Sequence, residues 1–144
     1  MKKIGLLMVG LLVFGQAEFK RGDNDLTVID TDTQLEWQDS YEDNNIKSGN
    51  WNYSITYCED LKLDDKNDWR LPNINELKSI VMETQYEPTI DEKFKYTKNH
   101  YYRSSTTRNS STSYQFIINF TNGFISFAGV YDGYYIRCVR DAEN

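Results

Sequence analysis

Histidine is nearly missing from this chain, with one residue in 144, and proline and cysteine stand at two each. Each shortage closes off a class of chemistry. A Ser-His-Asp or Cys-His arrangement would hang on His100 alone, and no serine sits in a glycine-flanked elbow. Cys58 and Cys138 fit one disulfide better than a metal pair or a redox motif. Clusters of Lys and Arg are also lacking, so nothing answers the phosphates of nucleic acid or the sulfates of an anionic polysaccharide. Repeats, heptads and a Pro-rich linker are absent, and the length fits a single domain. A mean hydropathy of -0.69 excludes a polytopic membrane protein, while 15% aromatic residues is too rich for a disordered chain.

What is present begins with an export signal. Lys2 and Lys3 precede the apolar run Ile4 to Phe14, and Gly15-Gln16-Ala17 places small residues at a cleavage site, so residues 1–17 read as a Sec signal peptide and 18–144 as the mature domain. The apolar run falls short of the ~20 residues that span a bilayer, and no lipobox cysteine follows. Removing Lys2 and Lys3 leaves 14 basic against 22 acidic groups, a net charge of -8. The expected address is secreted, periplasmic or cell-surface. There the medium is oxidising, which favours a Cys58–Cys138 bridge. In the chain-entropy model so long a closed loop contributes about 4 to 5 kcal/mol.

Periodicity then gives an α+β reading. Val28-Ile29 and Leu35 to Gln38 flank a turn at Asp30 to Thr33 and form a hairpin with Leu35 and Trp37 inward. Trp51, Ile55 and Cys58 recur at i, i+4 and i+7, which predicts a helix from Trp51 to about Leu61 with the cysteine on its buried face. After an acidic turn at Asp64 to Asp68, Pro72 keeps Leu71 extended. Asn73 caps a second helix, Glu76 completes a capping box, and Ile74, Leu77, Ile80 and Val81 form its apolar stripe. Glu87 to Asn99 and the Ser/Thr-rich run Ser104 to Ser113 read as long loops around a short extended piece, Tyr101 to Arg103. Tyr114, Phe116, Ile118 and Phe120 alternate along a strand, and Asn122-Gly123 fits a two-residue turn. Pairing Thr121 with Phe124 sets Phe120 against Ile125 and Ile118 against Phe127, gathering the apolar set on one face. A last strand, Tyr134 to Arg140, sends Ile136 and Cys138 to one side. The expected architecture is two helices packed on a twisted antiparallel sheet, with the bridge tying the first helix to the final strand.

Five segments, in order, carry a resemblance. They are Asp30 to Gln38; Trp51 to Leu61 with Tyr57-Cys58-Glu59; Asp68-Trp69-Arg70-Leu71-Pro72-Asn73 with Glu76-Leu77; Ser104-Ser105-Thr106-Thr107; and Tyr135 to Arg140. Together they resemble the Lcl C-terminal domain family, named after the Legionella collagen-like adhesin, over nearly all of residues 21 to 140. The resemblance implies a C-type-lectin-like fold. The Arg-Leu-Pro segment and the terminal Arg-Cys-Val also look like formylglycine-generating enzymes, a catalytic branch of related folds that needs reactive thiols. Three positions depart from the family pattern: Gln34 stands where glycine is usual, Glu36 where an apolar residue is usual, and Arg103 where tryptophan is usual.

Two acidic clusters, Asp23 to Asp32 and Asp64 to Asp68, supply oxygen ligands suited to calcium, but neither matches an EF-hand or a lectin calcium template. The expectation is no cofactor, with calcium as the alternative. Tryptophans 37, 51 and 69 belong to the core, and Arg70 reads as a structural hydrogen-bonding arginine. Tyr101, Tyr102, Tyr131, Tyr134 and Tyr135 lie near loops and strand ends, where tyrosine offers a flat apolar face and a polar tip for sugar or protein recognition, and Tyr101, Tyr102, Arg103, Tyr131 and Tyr134 are the candidate ligand contacts. Arg21-Gly22-Asp23 spells an integrin-recognition tripeptide and is read as an ordinary turn. The expected function is a non-enzymatic binding or adhesion domain that takes a glycan or a surface protein through its loops Glu87 to Arg108 and Ala128 to Tyr134. The alternative is an envelope structural or assembly component that binds another protein, and a degenerate enzyme ranks third.

Overall fold

A computed structural model describes residues 18–143. The segment read as an export signal lies outside the described residues. The chain is α+β, with two helices, two sheets and one disulfide. In the first sheet, β1 (Phe19–Arg21), β2 (Thr27–Asp30) and β3 (Leu35–Gln38) run antiparallel, and β9 (Val139–Asp141) closes it against β3. The second holds β4 (Ser48–Gly49), β8 (Tyr134–Tyr135), β5 (Tyr101–Arg108), β6 (Ser111–Asn119) and β7 (Ile125–Gly129), in that order. Among these pairings only β5 with β8 is parallel.

The N-terminal hairpin pairs as expected, Val28 with Trp37 and Asp30 with Leu35. Its turn is held by Asp30 Oδ1, which accepts from the Asp32 and Thr33 amides at 2.9 and 3.3 Å. Gln34 sits at φ +57°, the left-handed region that glycine adopts without cost, which explains the glycine usual at this place in the family pattern. The expected alternation along β3 does not hold, because all four of its residues are buried. Glu36 accepts from Thr27 Oγ1 and from Arg140 Nη1, and Gln38 donates to the Tyr57 hydroxyl on the helix covering that side. Polar residues go inside here because partners wait for them.

Helix α1 (Trp51–Asp60) starts at Asn50, whose side chain accepts from the Tyr53 amide. Cys58 is fully buried on it and bonds Cys138, with Cα atoms 5.5 Å apart. Around the bridge pack Trp69, Leu71 and Ile136. Helix α2 (Ile74–Ser79) carries the expected capping box between Asn73 and Glu76 and buries Leu77. Arg70 donates to Glu76 at 2.8 Å and to Asp141 at 3.0 Å, the structural part expected of it. The main core gathers Val28, Trp37, Leu77, Ile80, Tyr102, Ile118, Phe120 and Val139.

Three expectations about the C-terminal half are corrected. The Ser/Thr-rich run is not a loop: it forms the end of β5 and the start of β6, because its hydroxyls find partners. Ser104 Oγ donates to the Phe116 carbonyl at 2.6 Å, and Thr106 Oγ1 accepts from the Ile74 amide at 2.9 Å. The β6–β7 register differs by two residues from the one expected, since Ile118 faces Ile125, Phe116 faces Phe127, and the Asn119 amide donates to Phe124. The turn is thus longer than a two-residue loop, although the even slip keeps the same side chains on one face. The single final strand is instead two, β8 in one sheet and β9 in the other. Ile136, Arg137 and Cys138 cross between them, all fully buried.

Candidate functional site

Where β5 begins beside β8, aromatic rings meet. His100, just before β5, lies 5.8 Å from the Tyr101 ring, 6.2 Å from Tyr134 and 5.8 Å from Tyr135, centroid to centroid. Tyr101 and Tyr134 meet edge to face at 5.9 Å. Contacts this close leave no gap for a ligand between the rings, so the cluster is a shelf whose outer faces and edges are the usable surface. His100 is exposed, and Tyr101, Tyr134 and Tyr135 are half-buried.

The shelf is held from behind. Tyr135 pairs with Ser48 and Tyr134 with Gly49 on β4, while Tyr135 also meets Tyr102 on β5. Gly49 leaves room for the Tyr53 ring, which a Cβ there would meet and have to displace. Arg103 lies under Tyr134 with its guanidinium carbon 5.3 Å from the ring centroid. It donates to the Gly129 carbonyl at 2.7 Å and to the Asp132 carbonyl, which fixes the loop leading into β8. Burial lowers the Arg103 pKa, opposed by the neighbouring Asp132 carboxylate.

Two of the five candidate binding residues are therefore not at the surface. Tyr102 and Arg103 are both 0% exposed. Tyr102 points into the core, where burial raises its pKa and its hydroxyl accepts from the Lys98 amide at 2.9 Å. Arg103 stands where the family pattern has tryptophan and is a buried prop, joining a ring contact to hydrogen bonds with two carbonyls where tryptophan has a single donor. Tyr101 and Tyr134 belong to the shelf. Tyr131 is 87% exposed and stands apart from its rings. His100 was missed as a binding residue, and Tyr135, read as a strand-end tyrosine, was not counted among the five candidates. Their signal was present as the aromatic pairs His100-Tyr101 and Tyr134-Tyr135, which only strand pairing brings together.

The loop before β5 is tied to the body by buried charge. Arg137 and Asp39, both fully buried, pair at 2.9 Å. Arg137 also donates to the Gln38 carbonyl, the Tyr96 carbonyl and Thr97 Oγ1. Asp39 accepts from the Lys95 and Tyr96 amides at 2.8 and 3.2 Å. Tyr41 lies buried nearby, and burial pushes its pKa well above the ordinary tyrosine value.

The acidic clusters meet in one surface depression, where Asn24 donates to Asp64, but basic side chains interleave with them. Asp25 pairs with Arg21 and Lys95, Asp64 with Lys66, and Asp68 with Arg140. Among the described residues no group of three or more acidic, histidine or cysteine side chains is placed to hold a metal ion. The Arg21-Gly22-Asp23 tripeptide is not presented as a recognition loop, because Arg21 is bound to Asp25 and Asp39. No described helix is long and apolar enough to cross a membrane.

A search of curated proteins returned no match. The family model described as the Lcl C-terminal domain matches residues 26–140, which takes in α1, α2 and the strands from β2 to the Arg140 position of β9. It spans the disulfide, the capped helix and the shelf. The chain therefore belongs to the Lcl C-terminal domain family, a family of adhesin-type domains.

Proposed function

We propose that this chain is an exported, non-enzymatic adhesion domain, and that the shelf of His100, Tyr101, Tyr134 and Tyr135 takes the apolar face of a sugar ring. The observation that carries this reading is the joining of four rings, with separations of 5.8 to 6.2 Å around His100, by residues of both loop ends. Tyrosine rings supply contact area at low entropic cost, and their hydroxyls reach sugar hydroxyls at the rim. Arg103 and β4 hold the rings in place before a ligand arrives, which removes part of the ordering cost of binding. A net charge of -8 after export disfavours sulfated ligands and points to neutral glycans.

The catalytic alternative has little support in the residues. Both cysteines are joined, so no thiol is left for chemistry of the formylglycine-generating kind. The ring neighbours of His100 are tyrosines. The reading is tested by probing a glycan array with residues 18–144, alongside Tyr134→Ala and Tyr101→Ala. Retention of neutral glycans by the native domain and a loss of about tenfold or more in each variant is expected. Retention unchanged by either variant, or no retention of any glycan, would overturn it.

A further inference from the structure

The outer edge of the five-stranded sheet differs from the rest of the surface. In β7 the hydrogen bond from the Asn119 amide to the Phe124 carbonyl, 2.8 Å, sets the phase of pairing with β6. Phe124, Ser126 and Ala128 turn their backbone groups toward β6, and Ile125, Phe127 and Gly129 turn theirs away. Gly129 is answered locally: its amide donates to Asp132 Oδ2 at 2.9 Å and its carbonyl accepts from Arg103. Ile125 and Phe127 have no such partner among the described residues, leaving their amides and carbonyls open at the edge.

The side chains beside this edge are apolar and exposed. Phe124 is 69%, Tyr114 46%, Ile125 42% and Phe127 41% exposed, and Phe116 packs on Phe127 with centroids 4.8 Å apart. The strand, Ile-Ser-Phe-Ala-Gly, carries none of the lysine, proline or inward charge that blunts an edge against pairing. The Arg108 guanidinium lies 4.3 Å from the centre of the Phe127 ring, and among the described residues no carboxylate pairs with it. It is an unanswered positive charge on a domain rich in acid.

We propose that β7 is a docking edge for an extended peptide segment of a protein partner, which adds as a further strand. Apolar side chains at alternate positions of that segment would cover Ile125 and Phe127, and a carboxylate would meet Arg108. The four half-exposed side chains offer roughly 400 Å². A stable dimer needs about 800 Å² from each partner, so the strip is too small for a second copy and fits a short strand. Backbone hydrogen bonds supply affinity in such additions, and alternate side-chain contacts supply selectivity. This inference is independent of the glycan reading and uses none of the four shelf residues.

The probe is a blocked heptapeptide with valine, phenylalanine and valine at alternate positions, threonine between them and aspartate at one end. It is titrated into the disulfide-bonded domain while amide hydrogen exchange is followed by NMR. Slowing of the Ile125 and Phe127 amides by about tenfold or more is expected. Ile125→Pro removes an amide that β6 does not use, and is expected to abolish the protection. Phe127→Lys serves the same end should the proline variant fail to fold. Arg108→Ala is expected to weaken binding roughly two- to threefold for the aspartate peptide and not for its asparagine counterpart. No slowing at saturating peptide, unchanged binding by both edge variants, or slowing that follows protein concentration without peptide would overturn the proposal.

Discussion

The two sheets dispose of their side chains in opposite ways. Around the four-stranded sheet, charge lies inside: Glu36 pairs with Arg140 at 2.5 Å, and Asp39 with Arg137 at 2.9 Å, all nearly or fully buried. At the outer end of the five-stranded sheet, apolar rings lie outside, Phe124 and Phe127 among them. Burying a charge is tolerable only when a counter-charge and hydrogen-bond partners meet it, so the first region depends on its ion pairs staying in place. Exposing an apolar strip costs little in a folded monomer and leaves a surface that a partner can cover. The region that looks suited to ligands by its charge is therefore structural, and the region that looks like core by its pattern is free to bind.

Breaking the buried side of this contrast should have the largest effect. Arg137→Leu leaves Asp39 buried without its main counter-charge, and a loss of about 3 to 5 kcal/mol is expected in urea unfolding, with faster amide exchange at Lys95 and Tyr96. Replacing Cys58 and Cys138 together by serine should cost about 2 to 5 kcal/mol, read in the same assay with and without reductant. Gln34→Gly relieves the left-handed backbone at φ +57° and should raise stability by about 0.5 to 1 kcal/mol, despite losing the Gln34 bond to the Thr31 carbonyl.

Asp68 sharpens the contrast, because it meets Arg140 from the solvent side with its side chain 59% exposed. The hydrogen bond from Arg140 holds its pKa below the ordinary 3.8. A depressed carboxyl stabilises the fold above the unfolded value and ceases to do so as pH falls through the folded one. Asp68→Asn should therefore cost at most about 0.5 kcal/mol at neutral pH, less at high salt, with the two proteins converging in acid. The smallest effect belongs to the exposed side. Phe124→Ser, at a side chain 69% exposed and outside the ring pairs, should change stability by no more than about 0.5 kcal/mol, and a larger loss in thermal unfolding would show that this end of the strip is part of the core after all.

Much of the local structure was legible. The hairpin around Asp30 to Thr33, the helix carrying Cys58 and the capping box of Asn73 and Glu76 all follow from short-range rules, and the structure has them. Pattern failed where the deciding partner is distant in the chain. Ser104 and Thr106 look like loop residues until Phe116 and Ile74 supply their hydrogen bonds. Arg103 looks like a binding arginine until carbonyls of Gly129 and Asp132 enclose it. The shelf was partly visible: Tyr101, Tyr134 and Tyr135 were read from strand-end position, while His100 needed the pairing of β5 with β8.

The sequence by itself determined the α+β class, the two helices with the capping box of the second, and the bridge between its only cysteines. Those depend on periodicity, on side chains within a few residues, and on having no other thiol to choose. Tertiary structure alone decided which charges are interior, which strand is left as an edge and which tyrosines share a shelf. Each of these is settled by a neighbour far along the chain, and the free energy of a buried charge or an open strand depends on that neighbour rather than on the residue itself.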